Sequence, residues 1–299
     1  MNVTVVFDGY SNNPSTKDIT HIRRTKGKVG QPVLFTGETV FRSKKDDFLL
    51  NLENKQRFLH LLADKMNAIG LEAKQAEGDA DVLIAKTGLE KSQAMPTAVI
   101  GEDTDLLILL IHYSNRDIPK FDLFFKSDKI VRNPRLWKLK NVITILGREV
   151  CNAILLIHAI LGCDTTSRVF SLGKGLALTR CVKDQEFCSD MMLFVDPSVT
   201  KLQVEITGER LLLKLYGAKN EDSLDVLRVV QFHQKLASND KVVKPENLQH
   251  LQLQLFIPSE FIIKYSVGTV EMTSIHWTGD GRRGMEDCSL FIRLRSQLL

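Results

Sequence analysis

Along the chain, short runs of β-branched and apolar residues alternate with stretches whose apolar residues fall three and four apart, which predicts strands and helices in turn. Met1 to Phe7 reads as a strand that ends in the turn Asp8-Gly9. After Asn12-Asn13-Pro14-Ser15 comes a polar stretch with Gly27 and Gly30 and no apolar period, the pattern of a loop or arch. Pro32 to Phe35 predicts a short strand. Between Asp46 and Ile69, the residues Phe48, Leu49, Leu52, Phe58, Leu61, Leu62, Met66 and Ile69 share one helical face, and Gly70 stops it.

Leu71 to Ala76 then predicts a strand, Val82 to Ala85 the start of a helix, and Thr97 to Gly101 another strand. Leu106 to Ile111 resumes as a helix, and Phe121 to Phe125 is an aromatic-rich strand. Asn141 to Leu161 holds a helix beginning near Gly147. Strands and helices thus alternate through about residue 165, the signature of an α/β fold with a parallel sheet. Beyond it, Glu209 to Tyr216 and Ser223 to Leu236 predict helices, Gln249 to Leu255 alternates like a strand, and Thr278 to Gly284 is glycine- and arginine-rich. The expected organisation is an α/β domain over 1–165, a helical extension over 166–240 and a weakly patterned segment over 241–299.

Composition narrows the class. At 299 residues, 43% hydrophobic and 25% charged, the chain has the make-up of an ordinary globular protein. A net charge of +4 gives no global basic field, so nucleic-acid affinity has to come from local patches. The apolar run Ala153 to Leu161 is too short to span a bilayer, and no signal peptide is visible. Five cysteines without a C-x-x-C spacing argue against a disulfide framework or a zinc ribbon. A reducing intracellular compartment is expected, the nucleus ahead of the cytosol.

The chemistry concentrates where predicted strands end in acids. Glu102, Asp103 and Asp105 follow one strand, Asp8 another, Glu77, Asp79 and Asp81 a third, and Asp164 closes the helix that includes Ile154 to Ile160. An acidic cluster between apolar segments is costly through repulsion and desolvation, and a bound cation offsets that cost. Carboxyl ends of parallel strands lie on one edge, where ligands of open α/β sheets bind. Converging oxygen donors without a Cys or His cluster suit Mg²⁺ or Mn²⁺. Two such ions about 4 Å apart activate water and stabilise the leaving oxygen of a phosphodiester. The competing reading makes each acid a helix cap, Asp81 most clearly.

These motifs resemble the flap endonuclease and XPG family of PIN-like nucleases, and its asteroid-like branch most of all. Val-Val-Phe-Asp8-Gly resembles the family's Val-Phe-Asp-Gly strand end, Glu77-Gly-Asp79-Ala its E-x-E-A motif, and Asp103-Thr-Asp105 its D-x-D pair. Leu-Gly-Cys-Asp164-Thr-Thr is similar to its Gly-x-Asp-Tyr motif, and Ser171-Leu-Gly-Lys-Gly175 sits at the offset of its G-I-G-P-K turn. The resemblance covers roughly residues 1–180. It implies a three-layer PIN-like domain with a helical extension, and a metal-dependent, structure-specific nuclease acting on DNA ahead of RNA. It further implies that Asp8, Glu77, Asp79, Asp103, Asp105 and Asp164 are catalytic ligands of two Mg²⁺ or Mn²⁺ ions.

Arg23, Arg24 and Lys26 stand where the family's arch carries phosphate-binding residues. Gly173, Lys174 and Gly175 stand where its backbone grips DNA around a monovalent cation. The family's further metal-binding Asp lies on a strand upstream of the Val-Phe-Asp-Gly strand, so the pattern reads as N-terminally incomplete. The alternative expectation is a catalytically silent PIN-like module that binds nucleic acid or protein. His158, Cys163, Trp137 and the run Met191 to Phe194 are expected as packing residues.

Overall fold

The computed structural model describes residues 3–9, 28–40, 42, 44–128, 136–161, 172–196, 198–219 and 222–237, and short strands at 264–266, 269–273 and 291–294. The chain divides into two compact units. The first comprises residues 1–113 and 119–136, the second 114–118 and 137–299.

In the first unit, strand β1 (Thr4–Phe7) is followed by helices α1 (Lys45–Leu49) and α2 (Leu52–Ala68) and by strand β2 (Glu72–Gln75), which pairs parallel to β1 with Phe7 opposite Gln75. The helix predicted over Asp46 to Ile69 is two helices, because Asn51 caps the second by accepting the Asn54 N–H at 3.0 Å. The stop at Gly70 is as expected. Its φ of +81° lets Gly70 N–H reach Asn67 O at 3.0 Å and Leu71 N–H reach Met66 O at 3.0 Å, a Schellman end. Residues 31–35 form no strand: the Val33 N–H donates to the Asn54 side chain at 2.7 Å instead.

Helix α3 (Asp81–Ser92) leads to β3 (Thr97–Ile100), helix α4 (Thr104–Arg116) to β4 (Leu123–Lys126), and β3 and β4 pair in parallel, Val99 opposite Phe125. Strand β5 (Leu136–Lys138) is third in that sheet. Helix α3 lies directly on β3. At Gly88 a Cβ would fall 2.5 Å from Val99 Cγ2, with Leu123 and Leu110 the next neighbours, so only glycine permits this approach. Ala85, Leu110, Leu123 and Phe125 are buried around it and form the unit's apolar interior.

The second unit is helical: α5 (Leu139–Leu146), α6 (Arg148–Ile160), α7 (Lys174–Lys183), α8 (Gln185–Met192), α9 (Lys201–Leu215) and α10 (Leu224–Ala237). The helix predicted to begin near Gly147 is α6, which starts at Arg148 directly after Gly147, whose φ is +82°; the short α5 ahead of that glycine is not predicted. Helix α9 begins eight residues before the predicted Glu209, at a capping box between Thr200 and Gln203. Ala153, Ile157, Phe187, Met191, Phe194, Leu211 and Leu224 share one core, which accounts for the apolar run in α6 and for Met191 and Phe194 as packing residues. His158 is buried in α6, as expected, and Trp137 is half-buried in β5. Asp190 is almost buried and accepts two bonds from the Arg210 guanidinium, Nε at 2.9 Å and Nη2.

Among the described residues, no single helix is long and apolar enough to cross a membrane, and α5 and α6, apolar together, are bent by 96°. Strands β6 (Lys264–Ser266), β7 (Thr269–Thr273) and β8 (Phe291–Leu294) pair antiparallel in that order. The strand expected over Gln249 to Leu255 and the loose segment over Thr278 to Gly284 lie outside the described residues.

Candidate metal centre

Two acidic strand ends belong to the first unit. At the first, the backbone of β1 carries its pairing past its own end: Ala76 N–H donates to Phe7 O at 2.9 Å and Gly9 N–H to Gly78 O at 2.7 Å. Gly9 is buried against the acidic loop, so that a Cβ there would run into the Ala76 carbonyl and come within 2.5 Å of the Glu77 carbonyl. Asp8 Oδ1 accepts the Ala80 N–H at 3.0 Å, and Asp8 O accepts from Gln75 Nε2 at 3.2 Å. Asp8 is therefore fixed against the Glu77-Gly78-Asp79 turn, although the two lie about seventy residues apart in sequence. Asp8 is half-buried, and Glu77 and Asp79 are exposed.

At the second strand end, Gly101 N–H donates to Lys126 O at 3.0 Å and extends the β3–β4 ladder by one rung. Gly101 is close to Leu106 Cδ2, 2.7 Å from where a Cβ would stand, so the chain turns at once into α4. Asp103 caps that helix by accepting the Asp105 N–H at 3.0 Å. Asp79 makes the same local turn with the Asp81 N–H at 3.0 Å. Glu102 accepts from the Ser127 hydroxyl, which ties the carboxyl ends of β3 and β4 together. No sequence signal marks Ser127 for this contact.

The direction of α3 relates the two ends. Its last residue, Ser92, accepts the Phe121 N–H at 2.9 Å just before β4, and Thr97 N–H at the start of β3 meets Asp122 O at 2.9 Å. Gly88 sits over Val99 in mid-strand. Helix α3 thus runs opposite to β3 and β4, and its first turn, with Asp79 and Asp81, lies toward their carboxyl ends, where Asp103 and Asp105 stand. Among the described acids of the predicted set, Asp8, Glu77 and Asp79 stand at the carboxyl ends of β1 and β2, and Asp103 and Asp105 follow β3 in a separate sheet of the same unit.

The donors there are all carboxylate oxygens at a wet surface, a set that fits a hard divalent cation and not a thiol- or imidazole-seeking metal. Among the described residues no three His, Cys, Asp or Glu side chains form a ready-made ligand group. Asp164, Arg23, Arg24, Lys26 and Cys163 lie outside the described residues.

In the second unit, Gly173 precedes α7 with φ −96° and ψ 147°, its carbonyl accepting the Leu176 N–H at 3.0 Å. Lys174 is the first helical residue. A Cβ at Gly173 or Gly175 would meet nothing within 4 Å, so both backbones stand open.

At the opposite end of the β1–β2 pair, where β2 begins beside Thr4, Glu72 accepts from Lys91 Nζ at 2.6 Å and from Thr4 Oγ1 at 2.8 Å, with Lys74 3.4 Å away. Lys91 above all, then the Thr4 hydroxyl, hold its carboxyl at about 2, well below the ordinary 4.5.

Parallel strand pairs wrapped by helices, with carboxylates gathered at the strands' carboxyl ends, define a mixed α/β protein. No family model, curated protein or solved structure matches the chain.

Proposed function

We propose that residues 1–165 are a PIN-like domain of the flap endonuclease type that hydrolyses phosphodiester bonds in DNA or RNA with the help of divalent cations. The observation that carries this reading is the Asp8–Ala80 hydrogen bond at 3.0 Å, which joins the first predicted ligand to the loop holding the next two. The antiparallel course of α3 over β3 supports it further, since the first turn of α3 then lies toward the strand end that Asp103 and Asp105 follow. Asp164 is the remaining ligand of the set.

Magnesium or manganese bound at this edge supplies Lewis acidity and an acidified water. The chain's own carboxylates would hold and orient it. Arg23, Arg24 and Lys26 bind substrate phosphates, and the open backbone at Gly173, Lys174 and Gly175 holds the duplex; a monovalent cation bound there would add positive charge toward phosphate.

A second reading, a silent PIN-like module that binds nucleic acid or protein, draws on the local backbone bonds accepted by Asp79 and Asp103, each of which gives its carboxylate a structural task. Cleavage of branched and single-stranded DNA and RNA in Mn²⁺ and Mg²⁺ separates the two. The control is the Asp103→Asn/Asp105→Asn protein. The nuclease reading expects turnover by the native chain and a loss of about a thousandfold in the control, several kcal/mol of barrier. Equal, metal-independent behaviour of both proteins, with binding retained, would establish the silent module.

A further inference from the structure

Away from the acidic edge, the elbow between α7 and α8 is a single residue, Asp184. Asp184 closes both sides of it: its N–H donates to Arg180 O at 2.8 Å, its carboxylate accepts the Phe187 N–H at 3.0 Å, and its carbonyl accepts the Cys188 N–H at 3.1 Å. Lys214 on α9 braces the elbow from outside, 2.9 Å from Glu186 and 3.9 Å from Asp184. Folding the chain back this tightly brings Cys181, near the end of α7, against Cys188, in the first turn of α8. Both are 3% exposed and belong to the same core.

The two thiols interact with one another, and that interaction, above burial, pushes Cys181 up and draws Cys188 down. Asp184 adds to the rise of Cys181, and Glu149 opposes the fall of Cys188. Cys151 is different. Its thiol is directed at Ile143 O, 4.0 Å away, and burial alone raises it to about 11.

We propose that Cys181 and Cys188 are a reversible disulfide site, closed by hydrogen peroxide and opened by thiols, that fastens α7 to α8. Cys188 is the sulfur that attacks. Its thiolate displaces hydroxide from the peroxide, which leaves as water after taking up the thiol proton, and Cys188 becomes a sulfenic acid. Cys181 then attacks that sulfur, and the sulfenic oxygen departs as a second water. In total two thiols lose two electrons and two protons, and one peroxide becomes two waters. Burial makes the first step slow relative to an exposed thiol. The fixed elbow makes the second fast, because the partner is already in place.

The test uses the full chain, treated with hydrogen peroxide under native conditions, quenched in acid, alkylated in denaturant and digested with trypsin. Cleavage after Arg180, Lys183 and Lys201 leaves the two cysteines on separate peptides. The expected product is the Cys181–Lys183 tripeptide joined to the Asp184–Lys201 peptide, lighter than their sum by two hydrogens. It should be the dominant linkage among the five cysteines, be lost on addition of dithiothreitol, and be missing from Cys188→Ala. Separate recovery of alkylated Cys181 and Cys188 would overturn the proposal. So would a sulfinic Cys188 without linkage, or preferential pairing of either with Cys151, Cys163 or Cys288.

Discussion

Asn54 is fully buried at the start of α2, and its side chain closes three backbone groups. It accepts from Val33 N–H at 2.7 Å and donates through Nδ2 to Gln31 O at 2.8 Å and to Phe48 O at 3.2 Å. Asn51 beside it donates to Gly30 O at 3.0 Å. Together they pin residues 30–33 across the helix, with Phe35 edge-on to Phe48 at 5.2 Å. Asn54→Ala leaves those groups without partners, each costly once buried, so urea unfolding should show a loss of about 2–3 kcal/mol. A change under 0.5 kcal/mol, roughly that of an ordinary surface substitution, would show that the strap is not held this way. Nothing in the apolar pattern marks Asn54, because it is a polar residue whose value lies in geometry. Gly9 and Gly88 are legible only as glycines. What makes each indispensable is the neighbour it touches: the Glu77 backbone for one and Val99 for the other.

At the scale of elements, periodicity locates strands and helices well and misses their breaks. The span Asp46 to Ile69 reads as one helix although Asn51 caps a second one within it, and the short α5 ahead of Gly147 goes unmarked. The expected strand over Pro32 to Phe35 fails for a related reason, since its partner is a side chain and not another strand.

The link among β1, β2 and α3 runs through Glu72, which Thr4 and Lys91 hold from either side. Its folded pKa of about 2 lies below the ordinary 4.5. Its contribution to stability is therefore fully present above about 4.5 and is lost as pH falls through about 2. In a carboxyl-detected NMR titration, Glu72 should titrate near 2, and Lys91→Met should return it toward the ordinary value. An unchanged midpoint in Lys91→Met would assign the shift to something other than this ion pair.

At the scale of the molecule, the described acids of the predicted set lie in the first unit and the helical core around Phe187 and Met191 in the second. The alternation of strand and helix predicts the first unit as α/β. It also predicts that the acids follow strand ends, and the described ones do. That Asp8 is tied to the Glu77-Gly78-Asp79 turn is not readable from spacing, because it depends on the close approach at Gly9. The bonds that Asp79 accepts from the Asp81 N–H and Asp103 from the Asp105 N–H explain why a backbone-binding acid and a ligand look alike in sequence: each stands just ahead of a helix.

Thermal unfolding with and without Mn²⁺, on the native chain and on Asp8→Asn and Asp103→Asn separately, tests the proposed metal centre most directly. Asparagine keeps the acceptor that each aspartate offers its backbone partner, so the metal-free proteins should unfold within a few degrees of one another. A ligand binding only the folded state at about a hundred times its Kd stabilises by about 2.7 kcal/mol. The native chain should show such a rise, and either substitution should abolish most of it, since one cation edge draws on both strand ends. No rise in the native chain, or the same rise in all three proteins, would contradict a metal centre built from Asp8 and Asp103.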